Sequence, residues 1–282
     1  MPTQPQNSSP TRAGEVTCGV ALRTHWPEYC IEAAALGVFM VSACVFAVAL
    51  EYPGSPVHRS LEGAAFLRHV LMGLAMGSTA VGLIRSPWGQ RSGAHMNPAV
   101  TLTFLTLNKI GRWDAIFYIL FQFIGGILGV RFASAAIGSP LRDSSIHYVA
   151  TAPGPAGPWI ALVAEFAISL VLMTTILWVS NSERLTRLTP WCAGGLVAAF
   201  IVVEAPLSGM SMNPARTFGS AFAARDWSSL WIYFLAPPAA MLLAGAIYRV
   251  QHGDRRLFCA KLHHHNNHRC IFRCRIGELH AQ

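Results

Sequence analysis

The chain has 282 residues, of which 53% are hydrophobic and only 12% are charged. This charged fraction is about half of what soluble domains carry, so a soluble globular protein of this size is excluded. The net charge is +8, and most basic residues lie between or beyond the apolar stretches, at places that would share one side of a membrane. Since the positive-inside rule expects this asymmetry, we interpret the charge as a topology signal rather than as affinity for nucleic acid.

Six long stretches are almost free of Asp, Glu, Lys and Arg, and each is about as long as a helix that crosses the hydrocarbon core. In chain order they are residues 33–50, 66–84 (interrupted by one Arg), 115–130, 166–182, 188–203 and 227–248. The sequence therefore predicts an all-α integral membrane protein with six transmembrane helices. Residues 1–24 are polar and contain no apolar core of a signal peptide, so we expect a disordered cytoplasmic tail there.

The chain contains an internal repeat. The six residues from Met96, MNPAVT, recur from Met212 as MNPART, and the first helix of each half carries a carboxylate, Glu32 or Glu165. Each half has three spans, an odd number, so the second half must cross the membrane in the opposite orientation. Inverted repeats of this kind are typical of channels and transporters whose functional site lies near the midplane.

The predicted organisation follows from these two halves. Its units are residues 1–24 (tail), 25–137 (first repeat), 138–158 (Gly/Pro-rich connecting loop), 159–249 (second repeat) and 250–282 (basic tail rich in Cys and His).

A short apolar segment follows each Asn-Pro-Ala motif, at residues 99–107 and 215–224, and neither is long enough to cross the membrane. Asn favours the N-cap position and Pro the first helical position, so Asn-Pro is expected to open a helix. Two inverted re-entrant half-helices would bring their positive ends together at mid-membrane. The motif residues expected along the pore are Asn97, Pro98, Ala99, Asn213, Pro214 and Ala215.

With these motifs the sequence resembles the major intrinsic protein family, the aquaporins and glycerol facilitators. The resemblance rests on SGAHMNPAVT from Ser92 and GMSMNPAR from Gly209, and it extends over residues 29–249. It implies an aquaporin-like fold and a passive channel, not an enzyme, with one pore per protomer in a homotetramer. We further expect a bacterial-type member in the inner (plasma) membrane, with both termini cytoplasmic, and with no cofactor for transport.

The resemblance also assigns roles to single residues. Asn97 and Asn213 would offer amide donors to a neutral permeant, while the half-helix dipoles oppose cations and protons. Arg216 would stand in the outer constriction, its alternative being to extend to the outer interface. Glu32 and Glu165 are expected to support the loops, with a proton relay as the alternative.

The expected selectivity filter consists of Met72, Ile201, Met210 and Arg216. It lacks the His of typical water-selective members and offers few hydrogen bonds, which favours a water channel with loose selectivity. Three further positions depart from glycerol facilitators: Thr217, Ala221 and the pair Tyr233-Phe234. An aquaglyceroporin-like, peroxide-permeable or metalloid-permeable channel remains the alternative.

Three features near the pore have two interpretations each. His95 is expected in the cytoplasmic vestibule, or else as a packed core histidine. Glu204 would brace a loop or face the pore. Residues 85–91 form a loop that is longer than in simple family members, which suggests an insertion or a cytoplasmic lid.

The second tail concentrates potential metal ligands within residues 259–274. They are Cys259, His263, His264, His265, His268, Cys270 and Cys274. Such a set could assemble a tetrahedral site for zinc or a similar ion, although the C-x2-C pair of familiar zinc modules is absent. A basic, lipid-facing tail is the alternative.

Two other functional classes would each leave their own mark on the sequence of a membrane protein. A membrane metalloenzyme would be favoured by a helical His-Glu-x-x-His motif, and the sequence contains none. A coupled transporter should carry a titratable residue at the repeat interface, for which only Glu204 is a candidate.

Overall fold

The computed structural model describes residues 16–253, 256–264 and 268–279, and within these ranges the chain is helical with no β-strand. The α-helices in chain order are α1 (Cys18–Glu51), α2 (Pro56–Ser60), α3 (Ala65–Arg85), α4 (Pro87–Ser92), α5 (Pro98–Thr106), α6 (Arg112–Ile137), α7 (Pro158–Ser180), α8 (Thr189–Val203), α9 (Ala205–Ser208), α10 (Pro214–Ala224), α11 (Leu230–His252) and α12 (Ile276–Leu279). Six of them, α1, α3, α6, α7, α8 and α11, are long and apolar enough to span a membrane. The prediction of an all-α fold with six spans is confirmed.

The two short helices α5 and α10 begin at the prolines of the Asn-Pro-Ala motifs. Asn97 is the N-cap of α5 and Asn213 is the N-cap of α10, and each side chain accepts a backbone N–H of its own first turn. With 9 and 11 residues, these helices are too short to cross a bilayer.

The repeats interlock through these half-helices. Helix α5 of the first repeat packs against α11 of the second, and α10 of the second repeat packs against α6 of the first. The last span of each repeat therefore supports the half-helix of the other repeat. Each repeat thus depends on the other to pack its half-helix.

Glycine allows a close helix contact between the repeats, which joins α3 and α8. A Cβ atom on Gly77 would lie 2.5 Å from the carbonyl oxygen of Gly194, and a Cβ on Gly194 would lie 2.6 Å from that of Gly77. Real side chains do not reach such distances, so the two backbones approach this closely only because both residues are glycine.

Helix α1 begins earlier than the sequence suggested. The disordered tail was expected to extend to residue 24, but residues 18–24 are helical, and residues 1–15 lie outside the described part of the chain. Two contacts explain the extra turns. The Tyr29 hydroxyl, which donates to Asp114 at 2.5 Å, also lies 3.2 Å from the carbonyl of Ala21, and the Arg269 guanidinium donates to the carbonyl of Thr24.

Candidate functional site

A cavity extends between the two repeats, from His95 at one end, past both Asn-Pro-Ala motifs, to Arg216 at the other. The four residues expected to form the selectivity filter all line this cavity: Met72, Ile201, Met210 and Arg216. Asn97, Asn213 and His95 line it as well. The fold thus brings together residues that are as much as 144 positions apart in the sequence.

Other lining residues were not found from the sequence. Phe39 of α1 and Val100 of α5 contribute apolar surface, and Leu262 reaches the cavity from the C-terminal tail. Val100 could have been inferred, because it occupies the place in the first motif that Arg216 occupies in the second. Leu262 lies outside both repeats, and no local pattern indicated its position.

The two motif asparagines are held by a crossed pair of hydrogen bonds. The Asn97 amide nitrogen donates to the carbonyl of Met212 over 2.6 Å, and the Asn213 amide nitrogen donates to the carbonyl of Met96 over 2.7 Å. Each side-chain oxygen is occupied at its own helix, where Asn97 accepts from Ala99 N–H and Asn213 from Ala215 N–H. An amide has two N–H donors, so one donor of each asparagine is left for the cavity.

The carboxylate of Glu32 holds the loop that precedes α5. It accepts the hydroxyl of Ser92 at 2.8 Å, and the backbone N–H groups of His95 and Met96 at 3.1 and 2.6 Å. Gln122 of α6 donates to the same carboxylate at 2.8 Å. Glu32 is fully buried and is not among the residues that line the cavity.

Glu165 makes the equivalent contacts in the second repeat. Its carboxylate accepts the Ser208 hydroxyl at 2.8 Å and the backbone N–H groups of Ser211 and Met212 at 2.6 and 2.8 Å. Tyr233 completes this loop by donating its hydroxyl to the carbonyl of Ser208.

The loop backbone before each asparagine adopts an unfavourable conformation. Met96 has φ 48° and Met212 has φ 54°, in the left-handed region that residues with side chains seldom occupy. Such a residue costs about 1–3 kcal/mol, which the surrounding contacts must offset. The conformation aims both Met carbonyls at the opposite asparagine, and the two glutamates stabilise it by accepting the Met N–H groups.

Arg216 is fixed at the end of the cavity that lies opposite His95. Its Nη1 donates to the carbonyl of Val149 in the connecting loop over 2.9 Å. Its backbone N–H also donates to the side-chain oxygen of Asn213 at 3.3 Å. The guanidinium is therefore held beside the cavity by the loop rather than extended away from it.

His95 both lines the cavity and packs in the core, so the two interpretations of this residue are compatible. Its Nε2 lies 2.9 Å from the carbonyl of Ala260, which can only accept, so the proton is on Nε2. Its Nδ1 then accepts from the hydroxyl of Thr101 at 3.1 Å. Phe104 stacks on the ring with centroids 5.1 Å apart.

Two other sequence features lie beside the pore. Glu204 is 5% exposed and is not among the cavity-lining residues, so the structure gives no support for its facing the pore.

The long loop at residues 85–91 contains most of helix α4, whose Arg91 donates to Glu28 of α1 at 3.0 Å. This contact packs the loop against α1.

The described tail brings together four of the seven expected metal ligands. The ligand atoms of Cys259, His264, Cys270 and Cys274 all lie within 4.8 Å of one another. Contrary to expectation, His263 and His268 are not members of this group, and His268 is exposed. His265 lies outside the described residues.

The cluster changes the acidity of its own groups. Hydrogen bonds from Cys259 and Cys270 lower the pKa of the Cys274 thiol, whereas burial raises the pKa of the Cys259 thiol. Burial lowers the pKa of the neighbouring Lys261, and the thiol groups of the cluster act in the opposite direction. The site thus holds two thiols whose pKa values are shifted in opposite directions, beside the side chain of Lys261.

The sequence as a whole is similar to known membrane channels. The sequence profile described as major intrinsic protein matches residues 21–248. Probable aquaporin TIP4-1 of Oryza sativa subsp. japonica is 30% identical over 67% of this chain and 74% of its own length. Aquaporin-4 of Mus musculus is 31% identical over 64% of this chain and 55% of its own length.

The chain covers less than two thirds of several relatives, for example 62% of probable aquaporin TIP2-2 of Oryza sativa subsp. japonica. These relatives come from plants and a mammal, and they give no support for the expected bacterial origin.

Among solved structures, the aquaglyceroporin from Plasmodium falciparum matches 80% of this chain and 96% of its own, with a TM-score of 0.64. At 19% identity, this likeness shows the fold alone. With a family match over most of the chain and the fold observed here, the protein belongs to the major intrinsic protein family.

Proposed function

We propose that this protein is a passive transmembrane channel for water and other small neutral solutes, and not an enzyme. The observation that carries the proposal is the crossed pair of bonds between Asn97 and Asn213. These bonds orient both amides and leave one N–H of each for the cavity. Two fixed donors at mid-path can orient a water molecule, while the apolar lining gives it few other partners to hold it there.

Exclusion of ions follows from the charges around the same path. The N-terminal ends of α5 and α10 meet at the two asparagines, and each helix end carries a partial positive charge. Arg216 adds a full positive charge at one mouth. A cation would lose its hydration shell in the apolar cavity and face positive potential, so we expect little ion conductance.

Selectivity among neutral solutes is proposed to be loose. Met72, Ile201 and Met210 line the cavity together with Arg216, and none of the three can replace the hydrogen bonds of a solute. The unbranched methionine side chains can also move aside for a larger solute. Hydrogen peroxide, glycerol and metalloid hydroxides are therefore the alternative permeants to test.

We further propose the membrane arrangement. The beginning of α1 and the tail lie on one face, where Arg269 contacts Thr24, and positive-inside charge makes this face cytoplasmic. A homotetramer with one pore in each protomer is expected from the family. Protease added to sealed right-side-out cells should leave the tail intact, and cross-linking in the membrane should stop at four chains.

Transport itself is proposed to need no cofactor. The one metal ion that we propose for this protein, zinc or a similar ion, belongs to the tail, where the four ligating side chains lie together.

Stopped-flow light scattering on proteoliposomes tests the channel function directly. Water, glycerol and hydrogen peroxide should be compared in parallel, with and without a zinc chelator, against empty liposomes. We expect water permeability well above that of empty liposomes in at least the chelated sample. Folded, inserted protein that adds no water permeability in either condition would refute the water assignment.

A further inference from the structure

The C-terminal tail folds back over the mouth of the pore at which His95 lies. Leu262 lines the cavity, and its backbone N–H donates to the carbonyl of Gly93 at 3.1 Å. The carbonyl of Ala260 accepts Nε2–H of His95. Ala260, Lys261 and Leu262 are all buried, with at most 4% exposure. The tail therefore occupies the position that water would hold in an open vestibule.

A second tail segment fills the space beside this one. The ring of Phe272 stacks on His95 with centroids 5.4 Å apart and lies edge-on to Tyr118 at 6.0 Å. Gly93 makes room for it, since a Cβ at that position would be 2.7 Å from the Phe272 ring. Phe272 is 6% exposed, so its ring is part of the protein core.

Backbone and side-chain hydrogen bonds fix the tail around the whole mouth. Arg273 N–H donates to the carbonyl of Lys109 after α5 at 3.0 Å, and Phe258 N–H donates to Asn181 after α7 at 2.8 Å. On α11, the Tyr248 hydroxyl donates to the carbonyl of Arg256 at 3.0 Å. With the Arg269 contact to α1, the tail is tied to both repeats.

The four potential ligands stand where they would join these two segments. Cys259 directly precedes Ala260, while Cys270 and Cys274 flank Phe272 on either side. The sulfur atoms of Cys259 and Cys270 are 3.6 Å apart, and Cys274 Sγ is 3.1 Å from His264 Nε2. A disulfide would need about 2.05 Å. In a tetrahedral zinc site, ligand atoms at about 2.0–2.3 Å from the ion are roughly 3.5–3.8 Å from each other.

The surroundings also suit an anionic metal centre. Three thiolates around a divalent ion leave one negative charge, and the side chain of Lys261, 2% exposed, is enclosed in the same loop. Its ammonium group donates to the carbonyls of Arg269 and His268 at 2.9 and 3.3 Å. Lys261 N–H further donates to Cys259 Sγ at 3.5 Å, a contact that would stabilise a thiolate. A buried lysine is also unsuited to a lipid-facing tail.

We propose that Cys259, His264, Cys270 and Cys274 bind one zinc ion, which holds the tail as a plug in the cytoplasmic mouth of the pore. The three thiols release their protons to solvent on binding, and His264 binds as neutral imidazole through Nε2. Loss of zinc frees both segments, Leu262 leaves the cavity, and the channel opens. The inference goes beyond the proposed transport function and depends on it only for the flux measurement.

The metal site is tested on the full chain without reference to transport. Protein purified in the presence of zinc should retain about one zinc per chain, and cobalt in its place should give the absorption of a tetrahedral thiolate site. The double variant Cys270→Ser/Cys274→Ser should lose the zinc, while Cys30→Ser, an exposed cysteine on α1, should keep it. Full-length protein that holds no zinc would overturn the proposal.

The plug is tested by water flux in proteoliposomes. A ligand at about ten times its Kd that binds only the docked tail multiplies the ratio of docked to undocked tail by about eleven, so chelation should raise permeability by up to roughly tenfold. Zinc added back should reverse the rise. Leu262→Ala should keep the zinc yet be more permeable than wild type.

Two results would contradict the plug. One is equal water conduction by zinc-loaded and chelated wild type. The other is binding of the tail to acidic vesicles while the pore stays open at all zinc concentrations. If no state of the protein conducts water, the channel function fails instead, and zinc content with zinc-dependent protection of the cysteines from maleimide still decides the tail site.

Discussion

Glu32 and Glu165 occupy equivalent places in the two repeats and hold the two pore loops by the same contacts. Each carboxylate accepts one loop serine hydroxyl and the two backbone N–H groups that immediately precede the motif asparagine. The two asparagines can form their crossed hydrogen bonds only when both loops have this shape. Loop support and donor geometry are therefore properties of one hydrogen-bond network.

Replacing either carboxylate should destabilise the fold. In Glu32→Gln, one oxygen becomes an NH2 group that faces donors, and at least one buried N–H loses its acceptor. We expect the free energy of unfolding to fall by about 1–3 kcal/mol, and Glu165→Gln should behave alike. Thermal unfolding in detergent measures the change. Glu183→Gln, an exposed residue after α7, is the control, and an equal loss of stability there would contradict the assignment.

Removing one amide donor should slow water without removing the helix cap. In Asn97→Asp, a carboxylate oxygen can still accept Ala99 N–H, but nothing donates to the carbonyl of Met212. We expect permeability to fall by roughly tenfold, as for a barrier raised by about 1.4 kcal/mol. Stopped-flow flux of the chelated protein is the measurement. Asn108→Asp is the matched control, because Asn108 is exposed and its φ of 58° suits aspartate. Unchanged flux in Asn97→Asp would count against the donor role.

Arg216→Val should separate charge rejection from water passage. Valine fits this position, since Val100 stands there in the first repeat, and the change removes a positive charge from a low-dielectric mouth. We expect water permeability to stay within about twofold, while proton and cation conductance increase. Arg142→Val, an exposed residue of the connecting loop, provides the comparison. Conductance equal to wild type would mean that the half-helices exclude ions by themselves.

Neighbouring glycines on α8 should differ sharply in their tolerance of alanine. A Cβ at Gly194 would meet the carbonyl of Gly77 and the side chain of Val81, whereas a Cβ at Gly195 meets nothing within 4 Å. Gly194→Ala must push α3 and α8 apart and should lower the yield of folded protein and its unfolding temperature. Gly195→Ala should leave both unchanged. Size-exclusion profiles and thermal unfolding of the two variants measure this difference. Equal behaviour of the two variants would contradict the close approach of α3 and α8.

Much of the fold could be predicted from the sequence because its signals are local or repeated. Long uncharged stretches marked the six spans, and Asn-Pro marked the starts of α5 and α10. The family resemblance assigned the cavity-lining positions Met72, Ile201 and Met210, and counting back from Asn213 placed the last two. What each position contributes to selectivity stays a prediction.

For the tail, the sequence indicated a possible metal site from its composition but not how the tail folds. Its cysteines and histidines suggested a metal site, but which four of them meet depends on how the chain turns between Cys259 and Cys274. Its place over the pore depends on contacts with Gly93, Lys109 and Asn181, all more than 70 positions away in the chain. No repeat or motif in the tail indicates contacts of that range. The extra turns of α1 were missed for the same reason, since Arg269 of the tail contacts them.

The matched loops have one further consequence, which concerns symmetry. From Glu32 to Asn97 and from Glu165 to Asn213, the path is built nearly the same when viewed from either face. Three features break this equivalence: Arg216, where the first repeat has Val100, His95, where the second repeat has Ser211, and the tail with Leu262, which lies outside both repeats. Much of the channel's polarity thus resides in two substituted side chains and one appended segment, so control of opening can be lost or acquired without rebuilding the conducting path.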